Sequence, residues 1–391
     1  MRKIAVFTGS RADYGIMRWV IQRIQESDGL TLSLIVSGSH LSAAHGSTWR
    51  AIAEDGLVID HKIHIDLDDD SRLGIACTLA AAIKGISEVL ERDQPDILVV
   101  LGDRYEMFAA AQSAMILGIP IAHIHGGEST EGAIDEAIRH AVTKMAHLHF
   151  TAAEPYRQRV IQLGEAPARV FNVGAPGLDN LRRLSLMARK DLEDLIGIDL
   201  GPPLFLITYH PETVSDDDPA KGIAELLCAL DAFPEATMLF TKANADMHGA
   251  AVNERIEGYV AERGDRTALF PSLGQRPYLS ALAMADAVIG NSSSGIIEAP
   301  SLGTPTVNIG TRQDGRLRAA SVIDCDTNEA AIARAIRDAL DNRAGRTVVS
   351  GTNPYDQGEA SGRIVEILRS VDLNGLMNKR FHDIPVGATQ P

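Results

Sequence analysis

His123-Ile-His-Gly-Gly-Glu128-Ser-Thr-Glu-Gly-Ala-Ile-Asp135-Glu-Ala-Ile-Arg139-His140 gathers carboxylates, histidines and an arginine in one short stretch. It follows an apolar run that ends at Pro120-Ile121-Ala122. In an α/β protein such a run is a strand, and its carboxyl end is where active sites sit. Two acidic groups in one cleft can have their pKa values pushed apart, so that one donates and the other accepts a proton. The stretch therefore predicts proton-transfer chemistry.

Other residues extend that chemistry. Leu101-Gly-Asp103-Arg104 follows the apolar run Ile97–Leu101, so Asp103 reads as a catalytic acid or base, or as the N-cap of the next helix. Asp135 and Arg139, four apart, share a helix face beside the apolar stripe Ile134, Ile138 and Val142. They line a cleft rim or pair on the surface. His123, His125, Glu128 and His140 lack metal-ligand spacing, and no metal is expected. Thr8-Gly-Ser-Arg11-Ala-Asp13 after the first strand is no dinucleotide fingerprint. Arg11 either grips an anion at a helix amino terminus or decorates a capped helix start.

Two further motifs lie in the second half. Tyr209-His210-Pro-Glu212-Thr follows a strand, which places His210 near a phosphate or sugar, or buries it as a structural histidine. Asn291-Ser292-Ser293-Ser294-Gly295-Ile-Ile-Glu298 reads as a strand end, a Ser/Gly loop and a short helix. Hydroxyls and free N–H groups there make an uncharged diphosphate cradle, with Glu298 accepting from ribose hydroxyls. The plainer alternative is an N-capped helix with Glu298 facing water. Arg312 and Arg316 supply positive charge nearby.

The elements that must position these groups are legible too. Strands are expected at Lys3–Thr8, Thr31–Ser37, Ile59–Ile65, Asp96–Leu101, Ile119–His123 and His147–Thr151. Helices are expected at Gly15–Glu26, Ile75–Arg92, Glu106–Leu117 and Ile134–Lys144. Strands and helices alternate again at Leu204–Thr208, Thr237–Thr241, Ala287–Gly290 and Thr306–Ile309, after a charged helix Leu181–Leu195. This predicts two doubly wound, Rossmann-like parallel-sheet domains, 1–178 and 179–365, with an interdomain cleft. A helix around Ser361–Val371 and the tail 366–391 are expected to return to the first domain, with the last ~10 residues frayed.

A chain of 391 residues suits two domains, and 45% hydrophobic with 23% charged residues is a globular profile. The net charge of −15 argues against nucleic-acid and anionic-membrane partners. No apolar run approaches the ~20 residues that span a bilayer, and no signal peptide is read. Cys77, Cys228 and Cys325 are far apart, which predicts buried, reduced thiols in a cytoplasmic protein.

These segments together resemble the UDP-N-acetylglucosamine 2-epimerase family, from Gly9-Ser-Arg11 to Asn353-Pro-Tyr355. The His-Ile-His-Gly-Gly-Glu-Ser-Thr-Glu-Gly wording is similar to the hydrolysing branch, which feeds sialic and related nonulosonic acids. The non-hydrolysing branch carries His-Val-Glu-Ala-Gly-Leu-Arg-Thr instead, and its allosteric substrate site is not expected here. The resemblance implies a GT-B fold, no cofactor, and a homodimer or homotetramer. It implies a UDP- or GDP-linked 2-acetamido sugar as substrate, opened by elimination to a glycal and then hydrated to the free 2-epimer. It implies Asp103, Glu128, Asp135 and His210 as catalytic. Arg11, Arg139, Ser292, Ser293, Ser294, Gly295 and Glu298 then hold the nucleotide and substrate. A GT-B glycosyltransferase, a non-hydrolysing epimerase and a catalytically silent sugar-nucleotide sensor are the alternatives.

Overall fold

The computed structural model describes residues 1–43, 46–69, 71–130, 134–211, 219–243, 249–342 and 353–384. Glu131, Gly132, Ala133, Glu212, Thr213 and the terminal stretch from Pro385, all read above, lie outside the described residues. The chain divides into two compact units, one of Met1–Glu128, Ile134–Asn180 and Tyr355–Pro391, the other mainly of Leu181–Pro354.

The first unit is built on β1 (Arg2–Thr8), β2 (Leu30–Ser37), β3 (His61–Ile63), β4 (Ile97–Leu101), β5 (Ile121–Ile124), β6 (Leu148–Thr151) and β7 (Val170–Asn172). Every pairing is parallel, and the order is β3-β2-β1-β4-β5-β6-β7. Alternate residues serve opposite faces: Ile4 and Val6 join one core, Ala5 and Phe7 the other. Strands covered on both faces must be apolar where they are buried, as β4 is throughout and β1 is from Ile4 to Phe7. The chain runs outward from β1 to β3 and then jumps back to β4. The β1/β4 boundary is the topological switch point, where loops diverge and leave room for a ligand.

The second unit repeats the plan with β8 (Leu204–Thr208), β9 (Thr237–Thr241), β10 (Thr267–Phe270), β11 (Ala287–Gly290), β12 (Thr306–Ile309) and β13 (Val322–Cys325). Its order, β10-β9-β8-β11-β12-β13, puts the switch point between β8 and β11. The sequence reading missed β7, β10 and β13. All three are short edge strands, with partly exposed residues that blur the apolar run.

Other expectations need correction. The charged helix expected at 181–195 is two helices, Asp179–Arg183 and Arg189–Ile196, separated by a segment that packs Leu184, Leu186 and Met187 onto the second core. The return to the first unit starts at Tyr355 rather than 366, because helix Ala360–Ser370 packs whole onto helix Arg11–Glu26. The cysteines are free but not buried: Cys77 and Cys228 are exposed and Cys325 is half-buried. Helix Arg72–Asp93, 22 residues, is long and apolar enough to cross a membrane by length and composition. Here it lays Ala82, Ile86, Val89 and Leu90 on the sheet.

The tail is tied down by charge. Lys379 Nζ donates to the carbonyls of Lys144 (2.6 Å) and Ala146 (2.7 Å), at the carboxyl end of helix Ile134–Met145. Cations are favoured at that end of a helix. The same ammonium lies 2.7 Å from buried Glu165, which also meets Lys144 and His149. The helix that starts at the proton-transfer cluster is thus held at its far end.

Candidate active site

Asp103 lies two residues beyond β4, beside the first switch point, after Gly102 turns the chain at φ +71°. The helix that follows is Tyr105–Ile116, capped by Arg104, so the plainer reading of Asp103 as N-cap fails. Its carboxylate instead receives a hydrogen bond from Arg139 Nη2. Arg139 was read as a rim or surface residue, yet its side chain is 3% exposed. Burying a guanidinium is tolerable only with such a partner. The inward stripe of helix Ile134–Met145 is therefore Arg139, Val142 and Thr143, while Ile134 is 75% exposed. Asp135 is half-buried, one turn before Arg139.

His123, wholly buried on β5, links the two sides of that pair. Its Nε2 donates to the Gly102 carbonyl at 2.8 Å, and Nδ1 accepts from Thr143 Oγ1 at 3.2 Å. Burial above all pushes its pKa down to about 3, so the ring is neutral and this tautomer is fixed. One residue beyond β5, His125 bonds Glu128 Oε1 through Nδ1, and both are buried. His140 meets Glu136 at 3.0 Å on the helix. The histidines of this stretch are thus engaged by a carbonyl and two different carboxylates, not by one another.

Arg11 begins helix Arg11–Glu26, whose N-cap Ser10 accepts from the Asp13 amide at 3.3 Å. It is half-buried, and burial pulls its pKa below the usual guanidinium value. Two carboxyls missed by sequence reasoning lie beside Gly9, just past β1. Asp13 and Glu106 both pack against Gly9: a β-carbon there would lie 3.7 Å from Asp13 Oδ2 and 3.6 Å from Glu106 Cδ. Glu106 also accepts from Arg104 at 3.3 Å. Burial, against Arg104 but with Glu106, pushes the Asp13 carboxyl up to about 6. An acid whose pKa rises from 3.8 to about 6 on folding binds its proton more tightly when folded. Its contribution is full below about pH 4 and is lost as pH rises through about 6. Asp13→Asn is expected to flatten that slope and to raise stability at pH 7 by up to about 3 kcal/mol, read by urea unfolding at successive pH values.

In the second unit, His210 and the Ser/Gly loop flank the β8/β11 switch point. Gly290, at φ +134°, sits so close to β8 that a β-carbon would lie 2.0 Å from the Thr208 carbonyl. That approach delivers Asn291, which the sequence reading passed over. Its Oδ1 accepts from the His210 amide at 2.7 Å, and its Nδ2 donates to the His210 carbonyl at 2.8 Å. Arg312 (3.1 Å) and Gln313 (2.8 Å) donate to the Asn291 carbonyl. Burial first, then Arg312, hold His210 well below its usual pKa, so it is a neutral hydrogen-bonding ring.

The cradle itself is compact. Ser292 caps helix Ser293–Ile297, accepting from the Ser294 amide at 3.4 Å. Gly295 is required by packing, since a β-carbon would lie 2.6 Å from Thr306 Cγ2. Glu298 is the C-cap of this five-residue helix, not one turn inside a longer one, and is half-buried. Tyr278, also missed, brings its hydroxyl beside Ser294, Thr208 and Glu298, and burial pushes its pKa up to about 12.

Residues 22–369 match the UDP-N-acetylglucosamine 2-epimerase family. The chain belongs to that family. It is 38% identical over 384 residues to the GDP/UDP-N,N'-diacetylbacillosamine 2-epimerase (hydrolyzing) of Campylobacter jejuni, covering 98% of this chain and 99% of the relative. It is 38% identical over 387 residues to the polysialic acid biosynthesis protein P7 of Escherichia coli, covering 98% of each. The crystal structure of UDP-GlcNAc 2-epimerase from Neisseria meningitidis bound to UDP-GlcNAc superposes with a TM-score of 0.81 at 21% identity, over 94% of this chain and 99% of that one. At that identity the likeness carries the fold, and the two parallel-sheet units are of the GT-B type.

Within this epimerase fold the first unit joins Asp103 to Arg139 and His125 to Glu128. The second unit gathers His210, Ser292, Ser293, Ser294 and Gly295 at its own switch point, with Glu298 at the end of the same short helix. Asn291 and Tyr278 carried no sequence signal, because an asparagine after a strand and a tyrosine on a distant helix are each ordinary. Only the fold makes them neighbours of the cradle.

Proposed function

We propose that this chain is a hydrolysing nucleotide-sugar 2-epimerase. Its substrate is a UDP- or GDP-linked 2-acetamido sugar, and its products are the free 2-epimer and the nucleoside diphosphate. The observation that carries the reading is the Asp103–Arg139 pair at the β4 end, with Asp135 on the same helix as Arg139 and Glu128 beyond β5. A glycosyltransferase of this fold needs a nucleotide cradle but has less use for several carboxylates at these strand ends.

The chemistry proceeds in two halves. A carboxylate removes the weakly acidic C2 proton while the C1–O bond to the diphosphate breaks, leaving a glycal. Water then adds at C1 and a proton returns to C2 from the other face. Asp103 and Asp135 are the carboxylates assigned to C2. The second unit serves the nucleotide: Ser292, Ser293, Ser294 and Gly295 at the diphosphate and Glu298 at the ribose. Neutral His210 donates a hydrogen bond to the departing diphosphate, and Arg11 and Arg312 supply the positive charge.

The relatives named as diacetylbacillosamine epimerases favour a 2,4-diacetamido-trideoxy sugar, in surface-sugar biosynthesis. The family's own description supports UDP-N-acetylglucosamine as a second reading, with N-acetylmannosamine as product. A homodimer or homotetramer in the cytoplasm belongs to the same proposal.

Proton NMR of the protein with each candidate nucleotide sugar, and no acceptor, tests it. Free 2-epimeric sugar and nucleoside diphosphate should appear together from one candidate. Strict dependence on an added acceptor would sink the reading, and an epimer still attached to its nucleotide would place the chain in the non-hydrolysing branch.

A further inference from the structure

The His125–Glu128 contact is built by the chain rather than incidental to it. His125, the first residue past β5, sits at φ +64°, in the left-handed region that a side-chain-bearing residue seldom occupies. Its amide still extends the β5–β6 ladder, donating to the Phe150 carbonyl at 2.9 Å. Two glycines then fold the chain back. At Gly126 a β-carbon would lie 3.0 Å from both His123 Nδ1 and Thr143 Oγ1. At Gly127 (φ +80°) it would lie 2.3 Å from the Tyr156 carbonyl. Glu128 thereby returns onto the ring it left three residues earlier and bonds Nδ1. Strained backbone held by its surroundings clusters at functional sites.

The three histidines of the stretch differ in what their nitrogens have left to do. His123 has both engaged and no exposure. His140 has Nε2 on Glu136 and Nδ1 shut away from solvent. His125 has Nδ1 on Glu128, and its Nε2 has no hydrogen-bond partner among the described residues. Its side chain keeps 11% exposure, against 2% for Glu128. The ring keeps the larger exposure of the pair, and the carboxylate behind it is covered. A carboxylate on Nδ1 fixes the tautomer and stabilises the imidazolium, leaving Nε2 to exchange a proton.

We propose that His125 is the catalytic residue that delivers the new proton to C2, and that Glu128 is its positioning residue. This rests on the hydrolysing-epimerase reading and reassigns Glu128 within it. Epimerisation requires proton loss and gain on opposite faces of C2, hence two groups. Asp103 lies on the loop after β4 and Asp135 on helix Ile134–Met145, whereas His125 stands at the end of β5, apart from both elements. In the second half, the imidazolium Nε2–H gives its proton to C2. The glycal π pair forms the C2–H bond, and a water oxygen bonds the C1 cation. That water releases one proton to solvent, and His125 is reprotonated from solvent.

The test separates the two halves. His125→Gln and His125→Asn are followed by proton NMR with the nucleotide sugar that the parent protein turns over. Nucleoside diphosphate should still form in a first turnover, which also shows that each variant is folded. The glycal should accumulate, and free 2-epimer should form at least about 100-fold more slowly. Supplied glycal with nucleoside diphosphate should be hydrated by the parent protein and not by the variants. Glu128→Gln should slow hydration about 10- to 100-fold without slowing diphosphate release in the first turnover.

Free epimer at the parent rate in both His125 variants overturns the assignment. So does the loss of diphosphate release in variants whose thermal unfolding matches the parent's, since His125 would then serve the first half. A parent protein that makes no free epimer from any candidate overturns the functional reading and this assignment with it.

Discussion

Asp103→Asn is expected to cut turnover about a thousandfold while nucleoside diphosphate binding survives. General acid–base groups contribute about 10²–10⁴ in rate, and an amide keeps the shape of Asp103 without its ability to exchange a proton. Binding is spared because the Ser292–Ser294 loop, His210 and Arg312 stand on a different sheet. The same change removes the anion from a guanidinium whose side chain is 3% exposed. Breaking one side of a buried ion pair costs about 3–5 kcal/mol, and the retained amide oxygen should hold the loss towards the lower end. Diphosphate release, nucleotide titration calorimetry and a thermal melt on one preparation check all three. Parent-like turnover would remove Asp103 from the chemistry.

Asn291→Ala should be the more damaging change for the second unit. It strips the His210 amide and carbonyl of partners at 2.7 and 2.8 Å, at positions only 0% and 5% exposed. Each buried backbone group left unsatisfied costs about 1–3 kcal/mol, which gives a loss of about 2–6 kcal/mol for the two. That corresponds to roughly 4–24 °C in melting temperature for a unit of this size. His210 would also lose its register, and a misplacement of about 1 Å can cost about a hundredfold in rate. Asn291→Asp keeps an acceptor for the amide but no donor for the carbonyl, so an intermediate loss is expected. An Asn291→Ala protein that melts and turns over like the parent would show that His210 is held by other contacts.

Much of the candidate site was legible because ligands of α/β folds sit where strands end, and strand ends are marked by where apolar runs stop. Asp103, His210 and the Ser292–Glu298 segment were chosen on that basis, and the structure puts them at the ends of β4, β8 and β11, beside the switch points of the two sheets. Arg139 was placed beside the correct residues but on the wrong face. A charged residue next to Ile138 reads as solvent-facing until its partner, 36 positions away, is known. The same limit hid Asp13, whose unusual proton affinity comes first from burial, with Glu106 adding to it.

The sequence by itself determined the two-sheet plan, the central strands and the residues carrying carboxylates, hydroxyls and imidazoles. These follow from local hydrophobic periodicity and from residue type, which need no knowledge of neighbours. Tertiary structure alone decided the edge strands, the start of the returning tail and the exposure of the cysteines. It also decided which partner each ionisable group takes. Asp103 with Arg139, His125 with Glu128, and Asn291 with His210 depend on how the chain is brought back at each sheet's strand ends. Burial and charge pairing are properties of that juxtaposition, so no reading of one segment at a time contains them.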